Sequence, residues 1–114
     1  MTTVGFGTVS GVSADEVLAA IDAVLPAGSE DVRLVTLDSR AREAGVIEAA
    51  ARRGWPLTGH PASVLAGVPV PSPSVRVADQ VGTPSVAEAA ALLGGGALVV
   101  VKTMHGRVTV AVST

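Results

Sequence analysis

The chain has 114 residues, 48% of them hydrophobic but only 2% aromatic, with no cysteine and a formal charge of −2. That length suits a single domain over 1–114, able to bury about two thirds of the surface its unfolded chain exposes. The lack of cysteine excludes disulfides, thiolate chemistry and Cys-bound metal, and the weakly acidic balance supplies no clustered basic face for nucleic acid.

The opening Met1-Thr2-Thr3-Val4-Gly5 has neither the basic nor the apolar region of a signal peptide. No run approaches the ~20 apolar residues of a membrane span. The expectation is a soluble, cytoplasmic protein with no membrane partner.

Val4 to Phe6 is short, apolar and flanked by glycine, which predicts a first buried strand. A glycine-rich turn follows, Gly7 to Gly11. Ser13-Ala14-Asp15-Glu16 is a capping box, with Val12 and Val17 spaced as its hydrophobic staple. Val17, Leu18, Ile21, Val24 and Leu25 then fall on one helical face. Pro26 and Gly28 end that helix.

Arg33 to Leu37 reads as a second strand. Asp38 or Ser39 is placed to cap the next helix, whose apolar side is Ala41, Val46, Ile47, Ala50 and Ala51. Arg52 and Arg53 fall in its last turn, where cations suit the helix dipole, and Gly54 is a natural stop. Trp55 to Thr58 predicts a short third strand, and Ala62 to Ala66 a small helix. Val68 to Pro73 is proline-dense and extended, a connector. Val75 to Val81 is ambiguous between helix and strand.

Thr83 as N-cap with Pro84 at the first helical position predicts another helix. Its buried face is Val86, Ala89, Ala90 and Leu93, and Gly94-Gly95-Gly96 stops it. Ala97 to Val101 is apolar without alternation, which suggests a central strand covered on both faces. Met104 to Arg107 turns the chain into a last strand, Val108 to Val112. So short a turn makes that final pair antiparallel. The order predicts an α/β fold: one three-layer αβα domain on a mixed, mostly parallel sheet of about five strands.

Ligands of open α/β sheets bind beyond the carboxyl ends of strands, so the polar clusters there are the candidate sites. The first is Gly5-Phe6-Gly7-Thr8-Val9-Ser10-Gly11, leading to Ser13. Its G-x-G-x-x-x-G spacing is not the dinucleotide fingerprint. It reads either as a tight turn into a helix or as an anion-binding loop. The second is Thr36-Leu37-Asp38-Ser39-Arg40. Asp38 is either a helix cap or a base acting on substrate, and Arg40 offers a fork for a carboxylate. The third is Gly82-Thr83-Pro84-Ser85 with Glu88, an N-cap whose amides and hydroxyls also suit a carboxylate. Lys102, the only lysine, ends an apolar strand and is either a solvated tip or an anion contact. His60 and His105 lie far apart with no metal-ligand spacing, so no metal site is expected. No other cofactor is expected. No nucleophile elbow occurs.

Taken together, the chain resembles the CobE and CbiG C-terminal family of cobalamin biosynthesis. The resemblance is strongest at Gly82-Thr83-Pro84-Ser85-Val86-Ala87-Glu88-Ala89-Ala90 and at Lys102 followed by Gly106-Arg107-Val108-Thr109-Val110-Ala111. It extends to Gly5-Phe6-Gly7, to Thr36-x-Asp38-x-Arg40 with Glu43 and Gly45, and to Pro71-Ser72-Pro73-Ser74. Where the family's opening loop often reads Gly-Ile-Gly-Cys-Arg-Arg-Gly, this chain has Gly5-Phe6-Gly7-Thr8-Val9-Ser10-Gly11. The family's lysine two residues after the Asp is Arg40 here.

The resemblance implies a role in building the corrin ring, with a carboxylate-rich precorrin or corrin tetrapyrrole as ligand. CbiG-type proteins are cobalt-precorrin-5A hydrolases that open the ring-A δ-lactone and release acetaldehyde. The chain looks like the stand-alone CobE type, since it lacks the N-terminal part of CbiG. Three roles follow: a corrin-binding protein, a lactone hydrolase with Asp38 as general base, or a docking module for another corrin-biosynthesis enzyme. Residues expected to contact a tetrapyrrole are Gly5, Gly7, Thr8, Ser13, Thr36, Arg40, Gly82, Thr83, Ser85 and Lys102. If the two missing loop arginines help hold an acidic tetrapyrrole in the family, this chain is expected to bind more weakly or to rely on Arg40, Arg76 and Lys102.

Overall fold

The computed structural model describes residues 1–70 and 86–114. In chain order the elements are β1 (Thr2–Thr8), α1 (Ala14–Val24), β2 (Val32–Leu37), α2 (Asp38–Ala41), α3 (Ala44–Arg53), β3 (Leu57–His60), α4 (Ala62–Ala66), α5 (Val86–Leu93), β4 (Leu98–His105) and β5 (Val108–Ser113). The strands form one open five-stranded sheet in the order β3-β2-β1-β5-β4. β1 pairs in parallel with β2, and β2 with β3. β5 pairs antiparallel with both β1 and β4. β5 alone is therefore reversed, and the sheet is mixed, mostly parallel, as expected.

The sheet carries an apolar layer on each face. On one side Val4, Phe6, Leu34, Val108, Val110 and Val112 pack against α1 and α3 through Val17, Ile21, Val46 and Ala49. On the other, Val35 and Ala111 meet the alanines of α5, with Leu65 of α4 beside them. This is the three-layer αβα arrangement.

Helix α1 starts where the capping box places it. The Glu16 N–H donates to Ser13 Oγ at 3.1 Å, and the Ser13 N–H donates to Glu16 Oε2 at 2.8 Å. Val12 and Val17 are both buried in the same core. Gly54 stops α3 in the left-handed region at φ 67°. Arg53 grips Asp22 with both nitrogens, at 2.9 and 2.7 Å, and its guanidinium carbon lies 5.4 Å from the Trp55 ring centroid. Arg52 bonds Asp15 at 2.7 Å and also pairs with Glu48. The arginine pair is thus helix-end scaffolding.

Several local expectations are corrected. Leu93, expected on the buried face of α5, is exposed, and Ala87 and Ala91 are buried beside Ala89 and Ala90. The helix after β2 is two helices, broken at Arg42-Glu43, and its N-caps are Leu37 and Glu43 rather than Asp38 or Ser39. Asp38 is instead the first helical residue. Ile47 and Ala51 are exposed and Ala49 faces inward instead, so the buried stripe is Val46, Ala49 and Ala50 at i, i+3, i+4 spacing. The third strand is Leu57–His60, two residues later, since Trp55 still bonds back to α3 through its N–H and the Ala50 carbonyl. β4 is an edge strand, not a central one: Val99 and Val101 are each 53% exposed. A run of valines carried no alternation by which to tell the two apart. The helix start at Thr83-Pro84 and the segment Val75 to Val81 lie outside the described residues, as does the Pro71 to Pro73 part of the connector.

Gly5 faces α5. A Cβ there would overlap the Ala87 carbonyl oxygen and the Ala91 nitrogen. Gly7, two residues on, has only Val86 side-chain atoms near, the closest at 3.4 Å. Gly5→Ala is expected to destabilise the fold by about 1–3 kcal/mol through overpacking, and Gly7→Ala to stay within about 0.5 kcal/mol. Urea midpoints of the two variants check the contrast.

Candidate functional site

Three strands, β1, β2 and β3, present their carboxyl ends side by side, through Thr8, Leu37 and His60. The β4–β5 hairpin turns at the same end, since Thr8 pairs with Val108 and His105 with Val108. Gly106, at φ 61°, makes that two-residue turn possible. The polar groups gathered here are Thr8, Asp38, Arg40, Glu43 and His60.

Asp38 and Arg40 enter this end on α2, immediately after β2. Asp38 is half-buried beside Gly59, where a Cβ would come within 2.8 Å of its Oδ1. Asp38 makes no ion pair among the described residues. Arg40 donates from Nη1 to Glu43 Oε2 at 3.0 Å. The other Glu43 oxygen accepts the Gly11 N–H at 2.8 Å. That amide, and then Arg40, hold the Glu43 carboxyl below its ordinary pKa. Gly45 lets the start of α3 touch the Val12 carbonyl, a contact a Cβ would overlap.

The remaining expected residues divide. Thr36 is fully buried and donates its hydroxyl to the Phe6 carbonyl at 2.6 Å, across β1 and β2. Ser13 is committed to the α1 cap. Gly5 is strand, not loop, and its surface is covered by α5. Gly7 and Thr8 end β1, half-buried. Lys102 lies two strands from β1, on β4. Thr103 pairs with Val110, which pairs with Phe6, and Val100 with Val112, which pairs with Val4, so Lys102 stands level with the middle of β1 and inside β4 rather than at a strand end. Gly82, Thr83, Ser85 and Arg76 lie outside the described residues.

Two features escaped the sequence reading. Glu88 is fully buried, and its Oε2 accepts the Lys102 backbone N–H at 3.0 Å. The pairing of β4 with β5 shifts register between Val100 and Thr103, so a bulge leaves the Lys102 amide off the ladder and Glu88 takes it. A signal existed: a helix flanked by alanine on every side of its one acid, Ala87 to Ala91, is buried all round. The second is Arg107, whose Nε and Nη2 reach Glu16 at 3.0 and 2.7 Å across 91 positions of sequence. No local pattern announces such a pair.

Among the described residues no cluster of three or more His, Asp or Glu side chains could hold a metal. No described helix is long and apolar enough to cross a membrane. A shallow depression lined by Asp31, Arg33, Trp55 and Pro56 lies at the opposite, amino end of β2 and β3, away from the polar groups above.

The model of the family described as cobalamin synthesis G C-terminus matches residues 2–113. The chain belongs to this family of cobalamin biosynthesis proteins. Two solved structures share its fold. One is CobE, a protein from the cobalamin (vitamin B12) biosynthetic pathway, with TM-score 0.85 and 28% identity over 99% of this chain and 89% of that one. The other is the cobalamin biosynthesis protein chiG from Agrobacterium tumefaciens, with TM-score 0.71 and 33% identity over 100% of this chain and 98% of that one. A search of curated proteins gave no match. The fold and family type inferred from the residues are thus those of CobE and the CbiG C-terminus.

The Arg107 fork, with the Ser13 amide, lowers the Glu16 pKa from 4.5 to about 2. A depressed folded-state pKa gives stability that is present above the unfolded value and lost as pH falls through the folded one. Wild-type urea midpoints are therefore expected to fall between pH 4.5 and about 2 by more than those of Glu16→Gln. Equal slopes in the two proteins would remove the ion pair from the acid sensitivity.

Proposed function

We propose that this chain binds a carboxylate-rich precorrin or corrin intermediate at the carboxyl end of its parallel strands, as a binding protein of the CobE type. The observation that carries the reading is Arg40. It stands at the end of β2 with one nitrogen on Glu43 and its other donors without partners among the described residues. A guanidinium with open donors suits a carboxylate. Lys102, on β4, is three strand spacings from β2, roughly 14 Å at the usual interstrand distance. Only a large polyanion would meet both cations at once. A macrocycle fringed with carboxylates has that reach, and the apolar Val86 and Leu37 between suit its body. Charge–carboxylate hydrogen bonds are each worth enough to hold such a ligand without a broad basic face.

A second reading rests on Asp38. It is half-buried, lacks an ion pair among the described residues and stands within the same end of the sheet. Those features suit a general base that activates water for opening a precorrin lactone. The docking-module role has no comparable support in the geometry.

Co-expression with a corrin-producing pathway, followed by an absorbance spectrum of the purified protein, tests the proposal. A coloured ligand near one per chain is expected. Arg40→Ala and Lys102→Ala are each expected to weaken its binding roughly 10- to 100-fold. A colourless protein that also fails to bind added corrin overturns the binding role. Acetaldehyde released from a lactone-bearing precorrin, and lost in Asp38→Asn, would transfer the assignment to hydrolysis.

A further inference from the structure

We infer that Glu43 is a positioning residue for this end of the sheet, fixing through one carboxylate both the Arg40 guanidinium and the turn between β1 and α1. The inference rests on the corrin-binding reading and deepens it.

The geometry is a two-sided clamp. Oε1 accepts the Gly11 N–H at 2.8 Å and Oε2 accepts Arg40 Nη1 at 3.0 Å. Residues 11 and 43 are 32 positions apart, so the carboxylate ties two elements that sequence leaves independent. Glu43 can do this because α3 starts against the turn, where Gly45 admits the Val12 carbonyl. Its side chain is 19% exposed and that of Arg40 30%, so neither is a fully solvated charge.

Arg40 needs such a tether. It rides on α2, a helix of four residues with no side-chain cap. So short a helix has little stability of its own. An exposed ion pair three residues apart on a helix is normally weak, because two long side chains must be ordered for it. Here the Gly11 amide has already ordered the carboxylate, so Arg40 alone loses freedom. The consequence is a guanidinium held beside the turn between β1 and α1, with its remaining donors unpartnered among the described residues.

The test combines a binding cycle with a measurement that needs no ligand. Glu43→Gln keeps the size and an acceptor for Gly11 but removes the charge that holds Arg40. With cobyrinic acid as the corrin probe, Glu43→Gln is expected to weaken binding roughly tenfold in the wild-type background and less than twofold in the Arg40→Ala background. In the ligand-free protein, nitrogen-15 relaxation of the Arg40 Nε–H is expected to show a restrained side chain that becomes mobile in Glu43→Gln, while thermal melting shifts little. Equal loss of binding in both backgrounds overturns the inference, since Glu43 would then act without Arg40. Should the wild-type protein not bind the probe at all, the corrin reading fails, and the relaxation measurement decides alone. Loosening of Arg40 in Glu43→Gln upholds the positioning role; an unchanged Nε–H overturns it.

Discussion

The fold depends on one close approach, that of α5 to β1. Gly5 gives β1 a bare backbone at the place where Ala87 and Ala91 lay the helix backbone against it. Small residues on both sides turn a helix–sheet contact into something near backbone contact, with no side chain to absorb a change. The position of α5 then sets much else. It brings Val86 over Gly7, buries Glu88, and carries the Glu88 carboxylate to the bulge of β4. Ser113 of β5 closes the other end by donating its hydroxyl to the Ala91 carbonyl at 2.6 Å.

The carboxyl end of the sheet is held by a different device, a set of polar ties between segments distant in sequence. Thr36 bonds Phe6, Glu43 bonds Gly11, and Arg107 bonds Glu16. Much of the Thr36-x-Asp38-x-Arg40 motif with Glu43 and Gly45 is therefore architectural. Thr36, Glu43 and Gly45 build the platform. Asp38 and Arg40 are what the platform presents.

Where the sequence carried local information, it was legible. The capping box at Ser13, the glycine stop at Gly54 and the short turn at Gly106 each fix an element by chemistry within four residues, and each stands as read. The resemblance to cobalamin proteins was legible too, through motifs spread along the chain in order. What failed needed information from across the fold. Ala97 to Val101 looked central because valine runs fit any strand, and only the strand order makes β4 an edge. Gly5 fell both in the expected first strand and in the first candidate cluster, and only the packing of α5 shows what its missing Cβ admits. Glu88 was read as part of a polar surface cluster, though its alanine neighbours pointed inward.

The placement of β5 also governs the order in which the molecule can assemble. The strand lies inside the sheet, between β1 and the edge strand β4, yet it is synthesised after every other element described. Val108, Val110 and Val112, all fully buried, complete the layer that β1 and α1 begin about a hundred residues earlier. A chain emerging from the ribosome can pair β1 with β2 and β2 with β3, but it keeps the other flank of β1 and the face of α1 open until β5 follows. Long-range pairing of this kind is slow and leaves apolar surface uncovered meanwhile. Until β5 adds, the chain therefore carries an unpaired strand edge beside an open valine-lined layer, the kind of surface that invites association with other chains.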